Sequence, residues 1–228
     1  MSPKVLSLGA LLWCFPLQVS DRVNVSRETP PPQQAAEVFA LSLPSIRTYV
    51  KSLCTVGVER GLIGPREVPR IWERHILNSA VVMPRVPVGS AVADVGSGAG
   101  LPGLVWAIAR PDMSMTLIEP LLRRTVFLEE MCVELGLGNV RVVRARADEV
   151  DEVFDVVTAR AVAGLEKLGR WCMPLVRPGG VFLALKGQTA QQEVDMATGT
   201  LTKLGATTIV VSMYGDLEIP TTVVEVTK

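Results

Sequence analysis

The sequence predicts an α/β fold in which a mainly parallel, Rossmann-like sheet of seven strands follows a small helical cap. Three observations predict it. From residue 88 onward, short apolar runs alternate with longer helical patterns, as in a parallel sheet with crossover helices. A glycine-rich turn follows the first of these runs. The last two strand-like runs are separated by only seven residues, too few for a crossover helix, so they predict an antiparallel hairpin.

The chain is predicted to consist of three parts. Residues 1–34 are expected to form a poorly ordered extension ending in a Pro-rich linker, residues 35–87 a helical cap, and residues 88–228 the sheet domain. The apolar stretch Val5–Val19 in the extension is 15 residues long, which is too short for a membrane span. No small-residue cleavage site follows it, so an extension is favoured over a signal peptide.

The composition predicts a cytoplasmic protein with a substantial core, no membrane association and no metal site. Hydrophobic residues make up 48% of the 228 residues, and 23 basic residues balance 23 acidic ones. A polyanionic partner would therefore need a local basic patch. The cysteines form no CxxC pair, which argues against zinc and is typical of a reducing compartment. They are Cys14, Cys54, Cys132 and Cys172.

Three helices are predicted in the cap, at 35–40, 44–56 and 68–82. In the third helix, Pro69 occupies a first-turn position, where proline is tolerated. One stripe of that helix consists of Ile71, Trp72, His75, Ile76 and Ser79. His75 is the only histidine of the chain, and its place in a largely apolar stripe predicts a packed, hydrogen-bonded residue rather than a base.

The sheet domain is predicted to alternate strands and helices. The predicted strands are Ala91–Val95, Ser114–Glu119, Val140–Arg144, Phe154–Thr158, Val181–Lys186, Thr207–Met213 and Thr221–Thr227. The predicted helices are Leu101–Ala109, Leu121–Leu135, Leu165–Leu175 and Gln188–Leu204. Residues Arg177–Gly180 are predicted to form a tight turn that leads into the fifth strand.

The glycine-rich turn lies in Ala91–Gly103, and its glycines fit two ligand-binding patterns. Residues 98–103 match the GxGxxG pattern of dinucleotide-binding domains, and Glu119 stands about 20 residues on, where a ribose-binding acid belongs. Residues 94–100 match the pattern of methyltransferases, an acid followed by glycines two apart. Either pattern alone is weak, so the choice depends on the charge of the acid.

Electrostatics favours the methyltransferase pattern. A dinucleotide would place its pyrophosphate at this turn, where Asp94 would repel it. S-adenosylmethionine has no phosphate, and it carries an ammonium and a sulfonium that a carboxylate attracts. The terminal hairpin agrees, because a parallel sheet closed by one antiparallel strand is the class I methyltransferase variant of the doubly wound fold. The sequence therefore predicts S-adenosylmethionine as the cofactor.

Polar residues follow all five parallel strands, at the edge where ligands gather in open α/β sheets. At the first strand end, Asp94, Gly96 and Gly98 are predicted to contact the cofactor. Glu119 at the second is placed to accept hydrogen bonds from a ribose diol, and Asp148 after the third is placed to accept them from an adenine amine. The fourth and fifth strands end in Arg160 and Lys186.

Residue types that are absent from the strand ends narrow the chemistry. There is no Asn/Asp-Pro-Pro-aromatic turn for methylating an exocyclic amine, and no cysteine for attack on a pyrimidine. A ring nitrogen with a free lone pair, such as guanine N7, needs no deprotonation before it attacks a methyl sulfonium. Positioning then supplies much of the rate enhancement. Arg160 and Lys186 are the predicted catalytic residues, because they can hold an anionic, oxygen-rich substrate.

Four segments together resemble one family. They are ERHILNS at 73–79, DVGSGAGLPG at 94–103, TARAV at 158–162 and ALKGQ at 184–188. Over Ala36–Lys228 the sequence resembles the bacterial small-subunit rRNA guanine-N7 methyltransferases, also called the glucose-inhibited division protein B family. This resemblance implies transfer of a methyl group from S-adenosylmethionine to N7 of a guanine in the decoding-centre loop of 16S rRNA.

The resemblance also implies site residues and a partner. The family's cofactor-site positions match Gly96, Leu101, Ala147, Asp148 and Arg160. Its basic positions for RNA or catalysis match Arg146 and Lys186, and Arg123 in the sheet domain is a further expected RNA contact. The implied partner is 16S rRNA or the small ribosomal subunit. The sequence does not give the oligomeric state, and a monomer is expected. The chain departs from the family in reading Thr-Ala-Arg where Ser-Arg is common.

The residues alone leave three alternative functions open. A methyltransferase of a small anionic molecule would use the cap as a lid and the two strand-end cations to bind a carboxylate. A non-catalytic module would bind the cofactor and a partner without turnover. A dinucleotide oxidoreductase is supported only by the glycine pattern at 98–103.

Overall fold

The computed structural model describes residues 30–216 and 220–228. The predicted extension up to residue 29 therefore lies outside the described residues. The described chain begins with the prolines of the predicted linker, and Pro32 has extended dihedral angles immediately before the first helix. Within these two ranges, no helix combines the length and the apolar character that crossing a bilayer requires.

The structure confirms the predicted mixed sheet. Its strands are β1 Ala91–Val95, β2 Ser114–Ile118, β3 Val140–Val143, β4 Phe154–Arg160, β5 Val176–Lys186, β6 Thr208–Tyr214 and β7 Thr221–Thr227. They lie in the order β3-β2-β1-β4-β5-β7-β6. Strands β1 to β5 pair in parallel, whereas β7 pairs antiparallel with β5 and β6. The order changes direction between β1 and β4, so a ligand crevice is expected at their carboxyl ends.

The helices cover both faces of this sheet. In the described ranges they are α1 Gln33–Phe39, α2 Leu43–Ser52, α3 Asn78–Ala80, α4 Gly103–Ala109, α5 Leu122–Leu135, α6 Leu165–Cys172 and α7 Ala190–Lys203. Helix α4 begins two residues later than predicted, because Leu101 and Pro102 belong to the glycine turn. Helix α6 ends earlier than predicted and continues as a 3-10 turn, Met173–Leu175.

The predicted start of the fifth strand is wrong. Strand β5 already begins at Val176, which pairs with Phe154, and the next parallel pair is Val156 with Val181. The segment predicted as a turn is therefore an excursion within the strand. It is held by the chain terminus, since the Gly179 amide donates to the Lys228 carbonyl at 2.8 Å.

The cap helices are less regular than predicted. Helix α2 continues as a π-helical segment, Leu53–Gly57. The predicted third helix consists of a 3-10 segment, Pro65–Arg70, a π-helical segment, Trp72–Leu77, and then α3. Proline has no amide hydrogen to donate, so Pro69 interrupts regular α-helical bonding in this helix. Helical periodicity alone does not reveal such changes of pitch, which often accompany functional sites.

The cap and one face of the sheet share a hydrophobic core. Its fully buried side chains include Ile46, Leu53 and Ile76 from the cap and Leu104 and Phe127 from helices α4 and α5. A second cluster on the other face packs α6 and α7 against the sheet. The division into cap and sheet domain stays a prediction, but the shared core places the cap directly beside the carboxyl ends of the strands.

Gly103→Ala is expected to lower the free energy of unfolding by about 1–3 kcal/mol, the usual cost of overpacking a core. A Cβ at this position would lie 2.4 Å from Cδ2 of Leu117 and 2.6 Å from Oδ2 of Asp94. Urea unfolding measures the change. Gly199→Ala is the matched control, because a Cβ there meets nothing within 4 Å and helix α7 gains a better helix former. Equal unfolding midpoints for the two variants would contradict the prediction.

Candidate active site

The glycine turn joins β1 to α4 at the carboxyl edge of the sheet. Gly96, Gly98 and Gly100 have φ values of +70°, +61° and +95°, which side chains with a Cβ rarely adopt. The turn is anchored to the neighbouring strand, since the amides of Gly96 and Ser97 donate to the carbonyl of Ile118 at 2.8 and 3.2 Å. A Cβ at Gly98 would meet only one atom, at 3.8 Å, so the backbone there is open to a ligand.

Asp94 is fully buried beneath this turn. Its Oδ2 accepts hydrogen bonds from Oγ of Ser97 at 2.7 Å and from the amide of Gly103 at 3.0 Å, so it caps helix α4. Its Oδ1 is buried without a hydrogen-bond partner among the described residues. Burial raises the pKa of Asp94 to about 6, although the bonds to Ser97 and Gly103 and the charge of Arg160 oppose the shift.

Glu119 lies directly after β2 on the other side of the turn and is also buried. Its carboxylate accepts from the amides of Gly98 and Leu121, each at 3.0 Å, and from Nη1 of Arg124 at 3.3 Å. The predicted ribose acceptor therefore also holds the glycine turn in place. Each carboxylate oxygen has more than one lone pair, so these bonds leave acceptor capacity for a ligand.

These residues fit the predicted cofactor. An unpaired buried carboxylate oxygen is costly unless a donor or a cation reaches it, and an ammonium group supplies both. Leu101 is 9% exposed at the end of the turn. The structure thus brings Asp94, Gly96, Gly98, Leu101 and Glu119 together at the ends of β1 and β2. Among the described residues, no group of three His, Cys, Asp or Glu side chains is arranged to hold a metal.

Ala147 and Asp148 lie in a short 3-10 turn after β3, Ala147–Glu149. Nε of Arg146 donates to Oδ1 of Asp148 at 3.0 Å, and both side chains are more than half exposed. The predicted adenine acceptor and a predicted RNA contact are therefore paired with each other at the rim of the sheet. Solvent screens such a pair, so either group is free to exchange its partner for a ligand.

Arg160, at the end of β4, is bound to the cap. Its Nη1 donates to the carbonyl of His75 at 3.3 Å and to Oγ of Ser79 at 3.1 Å. Its Nη2 donates to the carbonyl of Arg74 at 2.8 Å and to Nδ1 of His75 at 2.7 Å. Burial lowers the pKa of Arg160, while the charge of Asp94 is among the influences that raise it. One guanidinium therefore ties the sheet to the π-helical segment of the cap.

His75 is the packed, hydrogen-bonded histidine that the sequence predicts. Because arginine only donates, Nδ1 of His75 accepts from Arg160, and Nε2 therefore carries the hydrogen and donates to Glu67 at 2.8 Å. Burial and the charge of Arg160 lower the pKa of His75, although the bond to Glu67 opposes this. The neutral imidazole thus serves as a structural link with both nitrogens occupied.

Lys186, at the end of β5, is bound within the sheet domain. Its side chain is 9% exposed, and Nζ lies 2.7 Å from Oε2 of Glu193 in α7. Nζ also donates to the carbonyl of Ala163 at 2.9 Å, and Oε2 of Glu193 accepts from the amide of Leu165 at 2.8 Å. The ion pair therefore fixes the loop between β4 and α6.

The predicted site residues form three groups. The first is the cofactor group around the glycine turn, and the second is the bound pair Arg160 and Lys186. The third lies at the rim near β2 and β3, where Arg123 in the first turn of α5 and Arg146 are exposed. The sequence did not identify Tyr49, whose buried Oη donates to the carbonyl of Ala99 at 2.7 Å. Tyr49 lies among apolar residues in the sequence, and nothing in that pattern signals this bond.

Two cavities lie beside the strand ends, and neither is lined by the residues of the glycine turn. One of about 450 Å³ lies between the cap, the ends of β4 and β5, and the start of β7. The other, of about 660 Å³, is lined by the loop after β4 and by α6 and α7. Val162 in this loop covers Gly96, since a Cβ at Gly96 would lie 2.8 Å from its Cγ2. The loop therefore adjoins both the turn and the cavities.

Comparison with known proteins shows a consistent set of relatives. A family model described as rRNA small subunit methyltransferase G matches residues 42–218. The ribosomal RNA small subunit methyltransferase G of Nocardioides sp. is 53% identical over 205 residues, which are 88% of this chain and 82% of the relative. The protein of the same name from Thermobifida fusca is 58% identical over 176 residues, which are 76% of this chain and 74% of the relative.

A solved structure shows the same fold. The SAM-dependent O-methyltransferase from Thermotoga maritima matches with a TM-score of 0.53 and 20% identity, over 71% of this chain and 69% of that chain. At this identity the likeness concerns the fold alone. It agrees with the class I methyltransferase sheet that the terminal hairpin predicts.

Asp94→Asn is expected to remove a pH dependence of stability. The pKa of Asp94 rises from 3.8 to about 6 on folding, so its stabilising protonation is fully present below pH 3.8 and is lost as pH rises through about 6. Between these limits the wild type should lose about 3 kcal/mol relative to the variant, at 1.36 kcal/mol per pKa unit. Urea unfolding from pH 4 to pH 7 measures the difference.

Asp195→Asn, in α7, is the control for this measurement because Asp195 is exposed. Its stability relative to wild type should not follow the same curve. Identical pH curves for the two variants would contradict the role assigned to Asp94.

Proposed function

The chain belongs to the rRNA small subunit methyltransferase G family, and from this premise we propose that it methylates N7 of a guanine in 16S rRNA. The methyl donor is S-adenosylmethionine. The decoding-centre loop is the target that the sequence resemblance implies. We also propose that the enzyme acts as a monomer in the cytoplasm, where small ribosomal subunits are assembled.

The observation that carries the cofactor assignment is the unpaired Oδ1 of Asp94 beneath the glycine turn, whose backbone is open at Gly98. Asp94 would hold the ammonium group, and the backbone at Gly96, Gly98 and Leu101 would line the cofactor. Glu119 would accept from the ribose. At the rim, the adenine would be held by Ala147 and Asp148.

The described residues suit a reaction that needs no general base. When bound, S-adenosylmethionine would supply the methyl carbon that the lone pair of guanine N7 attacks. The electrons of the broken sulfur–carbon bond would return to sulfur, and the positive charge would pass to the guanine ring. Both nitrogens of His75 are occupied by Glu67 and Arg160, so this histidine is not placed to remove a proton. Catalysis then depends mainly on orientation.

Arg160 and Lys186 contribute to that orientation through the protein. Arg160 holds the cap against β4, and Lys186 holds the loop that covers Gly96. We propose that these two bonds set the distance between the cofactor turn and the RNA. The exposed Arg123 and Arg146 are proposed phosphate contacts. A paired guanine presents N7 in the narrow major groove of RNA, so the target base must be unstacked.

The function is tested by incubating the purified chain and S-adenosylmethionine with small subunits, and separately with free 16S rRNA, from a strain that lacks the gene. Nucleoside mass spectrometry should show N7-methylguanosine formed in at least one of these substrates. Calorimetry should show binding of S-adenosylmethionine and none of NADH. Methylation at another atom, or NADH binding in place of S-adenosylmethionine, would refute the proposal.

Arg160→Ala is expected to lower kcat/KM for RNA by about a hundredfold or more, since a misplacement of about 1 Å at a reacting centre has that effect. The sheet should stay folded by circular dichroism, and the affinity for S-adenosylmethionine should change much less than turnover. Arg170→Ala is the control, because its exposed pair with Glu166 on α6 lies away from the cap. Wild-type turnover in Arg160→Ala would remove the role of Arg160.

A further inference from the structure

The cavity of about 450 Å³ between the cap and the β6–β7 hairpin, here named the cap–hairpin cavity, has a size typical of small-molecule sites. Its cap wall includes Arg70, Glu73 and Asn78. Its sheet wall includes Arg160 and Lys186. The family assignment and the cofactor turn do not account for this cavity, so its occupant has to be inferred from its own groups.

Most of the charged groups at the sheet wall are already committed to partners. Arg160 donates four hydrogen bonds to the cap, and Lys186 is paired with Glu193. Glu73 differs, because its exposed carboxylate makes no hydrogen bond or ion pair with a described residue. An available carboxylate that faces a cavity offers two acceptor oxygens to a ligand with adjacent N–H donors.

The cavity and the glycine turn share one wall. Ala161 lines the cavity, and Val162, the next residue, lies over Gly96. Ala161 and Glu73 both line the cavity, so a planar base bound there would contact both the loop that lies over the cofactor turn and the cap.

We propose that the cap–hairpin cavity takes the unstacked target guanine and that Glu73 recognises it by accepting hydrogen bonds from N1–H and the N2 amine. This inference rests on the proposed function. Flipped bases are read at their Watson–Crick edge, and this contact leaves N7, on the opposite side of the purine, free to react. Adenine has an acceptor at N1 and no N2 amine, so a carboxylate at this position selects guanine.

Glu73→Gln is the principal test, with Glu59→Gln as the matched control on an exposed cap residue outside the cavity. Hydrogen bonds to charged groups are worth enough that kcat/KM for the RNA should fall about ten- to a hundredfold in Glu73→Gln. The affinity for S-adenosylmethionine, measured by calorimetry, should stay within about twofold, because Glu73 does not touch the glycine turn. Glu59→Gln should match wild type in both measurements.

RNA that carries inosine at the methylated position provides the second arm, because inosine lacks only the N2 amine. Wild type should lose activity on inosine RNA, whereas Glu73→Gln should lose little further, since the same contact is already weakened. Independent, multiplicative losses would overturn the assignment of Glu73, as would wild-type turnover of guanine RNA by Glu73→Gln.

Glu73→Asp keeps a carboxylate and should restore part of the discrimination between guanine and inosine; discrimination no better than that of Glu73→Gln would count against the proposal. Circular dichroism and thermal melting verify that each variant is folded before its activity is compared. If wild type forms no N7-methylguanosine in either 16S rRNA or small subunits, the proposed function fails. If wild type is active and Glu73→Gln is equally active, only the recognition by Glu73 fails.

Discussion

The site depends on the hydrogen bonds that the buried carboxylate of Asp94 accepts. One oxygen satisfies the first amide of α4 and the Ser97 hydroxyl, which fixes both the glycine turn and the direction of the following helix. Helix α4 then packs into the core shared with the cap. The other oxygen has no partner in the described structure. The same residue therefore holds the scaffold and keeps a polar group available beneath the open backbone.

A second constraint is that the cap is joined to the sheet by buried polar bonds as well as by apolar packing. Tyr49 donates to the turn at Ala99, and Nε1 of Trp106 donates to the carbonyl of Ser79 at 2.8 Å. Arg160 adds its bonds to the π-helical segment. Breaking the bond of Tyr49 or of Trp106 would leave a buried polar group unsatisfied, which costs about 1–3 kcal/mol. The position of the cap relative to the cofactor turn is thus closely determined.

The basic residues near the strand ends differ in whether their side chains are held by protein groups or exposed to solvent. Arg160 and Lys186 are bound to protein groups, and the proposed effect of each on a substrate passes through the cap and the loop that they hold. Arg123 and Arg146 are exposed at the rim, where they are the proposed phosphate contacts, and the pair of Arg146 with Asp148 is open to solvent. Glu73 is an acid with no protein partner in the described ranges, facing a cavity. From residue type alone, Arg160 and Lys186 were the predicted substrate contacts, and Glu73 was not among them.

Local periodicity and the backbone preferences of neighbouring residues were sufficient to predict the order of strands and helices, the terminal hairpin and the glycine turn. It also indicated the cofactor, through the charge of one acid beside that turn. It did not indicate the excursion in β5 or the π-helical segments. Those depend on contacts such as the one between Gly179 and the chain terminus.

The three-dimensional arrangement was needed to see which polar side chains are bound to protein groups and which remain available. The hydrogen-bond partners of Arg160 belong to the cap, 81 to 86 positions earlier in the chain. No local sequence pattern links Arg160 to these partners. The same holds for the bond from Tyr49 to Ala99, which joins residues 50 positions apart. Hydrogen bonding acts over about 3 Å in space, whatever the separation in sequence. The sequence therefore indicated which chemical groups belong to the site, but it did not indicate which partner each group binds.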